Sequence, residues 1–147
     1  MSGRIEAIWI KRATRGVMDP VSRVRAVTGQ GLDGNADQGG ARQVTLIERE
    51  VFDRLRDELS PDVDPVQRRA NVLLSGVQLA NTRDRVLRLG SIRIRVRGET
   101  RPCERMDEAV PGLRDALDPD WRAGAFGEVL DDGEISVGDE ALWEGDQ

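Results

Sequence analysis

The chain has 147 residues, a length that suits one domain with a single core over residues 1–147, and its many short apolar runs exclude an intrinsically disordered protein. Its net charge of −5 argues against a nucleic-acid partner, because duplex binding needs a basic surface across the domain. No segment approaches the roughly 20 apolar residues of a membrane helix, and no secretory apolar stretch follows Met1. We therefore expect a cytoplasmic protein with no membrane partner.

The apolar runs predict short strands in chain order, and most of them alternate with a period of two. They are Ile5–Ile10, Val21–Val27, Ala41–Leu46, a pair within Val86–Arg97 that turns at Gly90-Ser91, a hairpin over Val129–Val137, and an edge at Ala141–Trp143. Residues 29–40 hold five glycines. This segment is either a long connection or a backbone that closely approaches a ligand.

Two helices interrupt the strands. Thr45 and Glu48 have capping-box spacing, which predicts that Thr45 caps a helix ending before Pro61. The apolar face of that helix would hold Val51, Phe52, Leu55 and Leu59. A second, short helix is expected over Pro111–Leu117. The pattern as a whole predicts a mainly β protein with a few helices, folded as a barrel or sandwich.

The residue types that are absent restrict the chemistry. The chain has no histidine and no tyrosine, and Cys103 is its single cysteine. A Ser-His-Asp triad, a Cys-His pair, a histidine-ligated metal and an intrachain disulfide are therefore excluded. Lys11 is the only lysine among 22 Lys and Arg residues. Codon bias in a GC-rich genome is the simplest cause of this imbalance, although arginine forks also suit phosphates and planar oxyanions.

Cys103 is the strongest nucleophile of the chain. It follows Pro102, which ends the preceding strand, so we expect the thiol at a strand end or in a loop. Arg101 and Arg105 favour the thiolate, and in an extended segment both would face the same side as Cys103, whereas Glu104 opposes them. Two interpretations stay open: a functional thiol, or a small buried hydrophobic residue.

Other arginines are candidates for anion binding. Arg68-Arg69-Ala70-Asn71 could hold a phosphate or a planar ring system, or could be a solvated charged run before a strand. Arg42, after the glycine-rich segment, is a third candidate. The alternating arginines at 93, 95 and 97 are most simply a solvated sheet face.

The order of several motifs resembles the MOSC domain, the module found at the C-terminus of molybdenum-cofactor sulfurases. The segments that carry this resemblance run through nearly the whole chain: Gly31-Leu32-Asp33-Gly34, Arg42-Gln43-Val44-Thr45-Leu46, Arg69-Ala70-Asn71-Val72, Pro102-Cys103-x-Arg105 and Gly133-x-Ile135-x-Val137-Gly138-Asp139. The resemblance implies a barrel-like β fold and a role in molybdenum-cofactor chemistry.

The resemblance also implies roles for individual residues. Cys103 would carry sulfur or ligate molybdenum, and the cofactor (molybdopterin) would contact Arg69 and Asn71, with Arg42, Thr45 and Gly34 as further contacts. Three functions remain open: sulfur transfer from a donor protein to metal–sulfur centres, molybdenum-dependent reduction of N-hydroxylated compounds with an external electron-transfer partner, and non-catalytic binding or delivery of the cofactor. In each case we expect Cys103 at the mouth of a pocket, near Arg69 and the glycine-rich segment.

The sequence departs from the family in its first motif, which commonly reads Gly-x-x-Gly-Asp-x-His. Here Asn35 stands at the Asp position and Asp37 at the His position. We also expect no sulfurase domain that uses pyridoxal phosphate within these 147 residues, and Lys11 has no supporting context as a Schiff-base lysine. Pyridoxal phosphate is therefore not an expected cofactor.

Overall fold

The computed structural model describes residues 3–145. Its strands are β1 (Gly3–Lys11), β2 (Met18–Val21), β3 (Arg23–Val27), β4 (Gly31–Leu32), β5 (Val44–Glu48), β6 (Val72–Ser75), β7 (Val86–Leu89), β8 (Ile92–Glu99), β9 (Ala125–Val129), β10 (Gly133–Ser136) and β11 (Glu140–Trp143). Its helices are α1 (Arg49–Glu58), α2 (Glu104–Ala109) and α3 (Leu113–Leu117), with 3₁₀ turns at Pro65–Arg68 and Pro119–Trp121. None of these helices is long and apolar enough to cross a membrane.

Seven strands close into a barrel in the order β1-β6-β5-β9-β8-β7-β11, and β11 pairs back with β1. Neighbours are antiparallel except β5 and β6, which run parallel. Strand β2 extends the sheet from the far end of β1, while β3, β4 and β10 form a separate small sheet. The mainly β, barrel-like fold predicted from the sequence is confirmed.

The alternation of side chains separates the core from the solvent. Along β8, Ile92, Ile94 and Val96 are fully buried in the barrel, while Arg93 pairs with Asp131 and Arg97 with Glu128 on the outside. The outward faces of β5 and β6 are apolar as well, and they pack against the three helices in a second core cluster. The helices therefore cover a part of the barrel wall that is apolar on both faces.

The helix over residues 49–58 forms as predicted, but Thr45 does not cap it. Its N-cap is Glu48, which makes no side-chain capping bond, and Thr45 lies within β5. The strand continues to Glu48 because residues 46–48 pair with residues 72–74 of β6. Sheet pairing thus overrides the local capping signal. Leu59, predicted on the buried face, is the C-cap and is 37% exposed.

Two predicted strand arrangements are also wrong. Val21–Val27 is divided between β2, which pairs with β1, and β3, which belongs to the small sheet. The hairpin over Val129–Val137 does not form, because β10 pairs with β3 rather than with β9. Regular alternation identifies a strand, but it does not identify the partner of that strand.

Candidate functional site

A cavity of ≈ 240 Å³ lies where β1 ends and β5 and β6 begin. Residues from five segments of the chain line it: Lys11, Thr14, Arg15, Met18, Asn35, Asp37, Arg42, Thr45, Arg68, Arg69, Asn71, Cys103, Arg105 and Met106. Segments distant in sequence meet here because β1, β5 and β6 are neighbours in the barrel.

The lining is strongly cationic, although the chain as a whole is acidic. Among the described residues around the cavity, Lys11 and five arginines face a single carboxylate, Asp37. Arg68 is only 7% exposed, and burial lowers its pKa to about 10, with repulsion from Arg42 as a smaller cause and Cys103 acting in the opposite direction. Burial and then Arg105 also lower the pKa of Arg69. A bound anion would relieve this crowding of positive charge.

Asn71 fixes the floor of the cavity and is 5% exposed. The Thr45 backbone N–H and hydroxyl both donate to its Oδ1, at 3.1 Å each. Its own amide donates to the Trp9 carbonyl oxygen at 3.1 Å and to Asn35 Oδ1 at 3.2 Å. The Asn71 backbone N–H in turn donates to the Thr45 hydroxyl at 2.9 Å. Asn71 therefore ties β1, β5 and the glycine-rich segment together.

Arg69 holds the loop that follows β1 against the cavity. It caps the 3₁₀ turn at Pro65–Arg68 in a left-handed conformation, with φ 62° and ψ 38°. Its guanidinium donates to the Gly16 carbonyl oxygen at 2.6 Å. A left-handed arginine is strained and persists only where its surroundings impose it, as they do at many functional sites.

Cys103 is exposed and lines the cavity, so the interpretation as a buried hydrophobic residue is wrong. It is the N-cap of α2, a helix that was not predicted from the sequence. Its Sγ lies 3.8 Å from Met106 Sδ, and it interacts electrostatically with Arg68 and Arg69. The expectation that Cys103 lies in one pocket with Arg69 and the glycine-rich segment is confirmed, since Asn35 and Asp37 belong to that segment.

The predicted environment of the thiol is wrong in one respect. Because α2 begins at Glu104, residues 101–105 are not an extended segment and do not share a face. Arg101 is exposed and its guanidinium pairs with Glu99 and Asp118. Arg68 and Arg69, which the fold brings near the thiol, interact with it electrostatically.

Five of the six predicted site residues line the cavity: Arg42, Thr45, Arg69, Asn71 and Cys103. Gly34 does not; its nearest side-chain neighbours are Arg12 and Ile10. The cavity is also lined by Lys11, Thr14 and Arg15, which were not predicted from the sequence. The available signal was the cationic run that directly follows the first predicted strand.

Comparisons with known proteins identify the family. The family model for the MOSC domain matches residues 33–141, which is well over half of the chain. The chain belongs to the MOSC domain family. The family is associated in general with molybdenum-cofactor-related proteins. No curated protein matches this MOSC chain.

Solved structures share the fold at low identity. YuaD from Bacillus subtilis is 19% identical with a TM-score of 0.81, covering 96% of this chain and 94% of its own. YiiM from Geobacillus stearothermophilus is 17% identical with a TM-score of 0.77, covering 96% and 74%. YiiM from Escherichia coli is 15% identical with a TM-score of 0.73, covering 100% and 71%.

Proposed function

We propose that this MOSC domain binds a molybdenum-cofactor-type pterin in the cavity, with its phosphate on the arginines and its metal end toward Cys103. The observation that carries the proposal is the combination of six cationic side chains and an accessible thiol around one cavity. Guanidinium forks suit phosphate oxygens, and a thiolate is a soft ligand that suits molybdenum.

The residues present fit such a group. Residues 3–145 contain no cluster of three His, Cys, Asp or Glu side chains that could hold a bare metal ion. Cys103 would be the residue that holds the metal of such a cofactor. When bound, the cofactor supplies a redox-active centre. Arg42, Arg68 and Arg69 bind and neutralise the phosphate, while Asn71 and Thr45 keep the floor of the cavity rigid.

With the cofactor bound, the activity that we propose is reduction of N-hydroxylated compounds with electrons from an external protein partner. Without catalysis, the same contacts would make the domain a binding or delivery module for the cofactor. Loss of the usual motif histidine at the position of Asp37 favours this second form. Both forms share the anionic pterin ligand.

A sulfur carrier is the second candidate, and the exposure of Cys103 favours it. The Cys103 thiolate would attack the terminal sulfur of a donor protein's persulfide, forming a new S–S bond and releasing the donor cysteine as its thiolate. The resulting Cys103 persulfide would then pass that sulfur as sulfide to a metal–sulfur centre, with two electrons from an external thiol reductant breaking the S–S bond and returning Cys103 to its thiolate. Arg68 and Arg69 line the same cavity as the attacking sulfur.

Analysis of metal, pterin and sulfane sulfur separates these candidates. The wild-type chain is purified from a host that makes the cofactor, beside Cys103→Ser, Arg69→Ala and the control Arg23→Ala, which removes an exposed arginine outside the cavity. We expect molybdenum and pterin near one per chain in wild type and control, and at least tenfold less pterin in Arg69→Ala. Sulfane sulfur on Cys103 without molybdenum selects the carrier. Absence of all three from the wild type refutes both candidates.

A further inference from the structure

Asp37 is the one carboxylate among the described residues that line the cavity. Its Oδ2 lies 3.1 Å from Lys11 Nζ, and its side chain is 53% exposed. Across residues 3–145, no donor is bonded to its other oxygen, Oδ1. The carboxylate therefore keeps a free acceptor in a cavity whose other charged groups are all donors.

The backbone on both sides of Asp37 is firmly anchored. The Ala36 N–H donates to the Lys11 carbonyl oxygen at 2.6 Å, and the Gln38 amide donates to the carbonyl oxygens of Leu32 and Asn35 at 2.8 Å each. Asn35, 5% exposed, also accepts the Lys11 backbone N–H at 2.9 Å. Asp37 is thus held in a fixed position beside the end of β1. A group that selects a ligand needs such a fixed position.

The cavity is lined by two chemically different groups of side chains. The first group is cationic: Arg68 interacts electrostatically with Arg42 and Arg69 with Arg105, and both arginines interact with Cys103. The second group is the ion pair of Asp37 and Lys11. A ligand that fills the cavity therefore meets both anion-binding groups and a hydrogen-bond acceptor.

Resting on the proposed function, we infer that Asp37 is a specificity-determining residue that accepts hydrogen bonds from the pterin ring. The 2-amino-4-oxo edge of a pterin offers two adjacent N–H donors, arranged like the fork of a guanidinium group. A carboxylate is an acceptor-only group that matches such a fork. Lys11 pairs with Oδ2 of Asp37, which leaves Oδ1 to accept from the ligand.

The same carboxylate acts against a simple inorganic anion. Its negative charge reduces the attraction of the six cations for free phosphate, and such an anion has no ring edge to compensate. Asp37 would therefore make the cavity select a pterin phosphate over phosphate alone. Substitution of Asp37 should move the affinities for these two ligands in opposite directions.

The test measures, by calorimetric titration of the full chain, the affinities for two probes, neopterin monophosphate and inorganic phosphate. The variant is Asp37→Asn, whose amide places a donor against the donor edge of the ring. The matched control is Asp57→Asn, which changes an exposed carboxylate on α1. We expect at least tenfold weaker binding of neopterin monophosphate to Asp37→Asn, equal or tighter binding of phosphate, and no change in the control. Asp37→Glu, which keeps the carboxylate, should recover part of the loss.

Other results overturn the inference in distinguishable ways. Equal losses for both probes in Asp37→Asn would mean that Asp37 only holds Lys11, and unchanged affinities would mean that it does not contact the ring. Either result leaves the proposed function in place. A wild-type chain that binds phosphate but not neopterin monophosphate would refute the pterin ligand itself, and with it both proposals.

Discussion

The hydrogen bonds of Asn71 allow a quantitative prediction about the rigidity of the site. Replacement by Ala removes four side-chain bonds, two from Thr45 and one each to Trp9 and Asn35. At about 1 kcal/mol per bond the loss is about 4 kcal/mol. Because Asn71 borders an open cavity, water can replace some partners, and we expect a loss of about 3 kcal/mol.

The measurement is urea unfolding followed by tryptophan fluorescence at neutral pH. A domain of this size has a free energy of unfolding of about 5–15 kcal/mol, so Asn71→Ala should still fold. Thr45→Val removes the hydroxyl that both donates to and accepts from Asn71, and should cost about 1–2 kcal/mol. Thr45→Ser keeps that hydroxyl and serves as the control.

The double variant tests whether the two residues act as a unit. Since Asn71 and Thr45 share their bonds, the combined loss should fall short of the sum of the single losses by about 1 kcal/mol. A loss below about 1 kcal/mol for Asn71→Ala, or strictly additive losses in the double variant, would refute the network as the source of rigidity.

Three further outcomes are expected. Burial raises the pKa of Glu48, so the ionised carboxylate is disfavoured in the folded state. Glu48→Gln should therefore increase the free energy of unfolding at neutral pH. The gain should vanish below about pH 4, where Glu48 is protonated in the unfolded chain as well. Gly124 has φ 103°, and a Cβ there would overlap the Leu46 carbonyl oxygen. Gly124→Ala should therefore lower the free energy of unfolding in urea by more than about 2 kcal/mol. The control Gly29→Ala, where φ is positive but the surrounding space is open, should lower it by about 1 kcal/mol. Cys103→Ser should leave the melting temperature within about 2 °C of wild type, because the side chain is exposed; a larger drop would indicate a structural thiol.

Local sequence patterns correctly predicted those elements whose formation depends mainly on the residues of a single segment. The strict alternation of residues 92–97 predicts β8, because the buried and paired side chains repeat every two residues. The apolar face of residues 51–55 predicts α1 for the corresponding reason. The turn at Gly90-Ser91 joins two strands that do pair with each other.

Elements that depend on distant partners were predicted incorrectly. Thr45 has the spacing of a cap, but β6 pairs with the residues that follow it and extends the strand to Glu48. Strand β10 follows β9 closely in the chain, yet it pairs with β3. The short helix α2 carries only one buried side chain, Met106, and so has no apolar periodicity to reveal it.

The same distinction between local and distant interactions applies to the candidate site. The sequence by itself determined the chemistry that is present: one thiol, no imidazole, and basic residues that are almost all arginine. Only the tertiary structure decided that Cys103 is exposed, that Arg68 and Arg69 rather than Arg101 act on it, and that Asp37 shares its cavity. The reason is that the order of strands around a closed barrel is a property of the whole chain, and this order sets which strand ends meet.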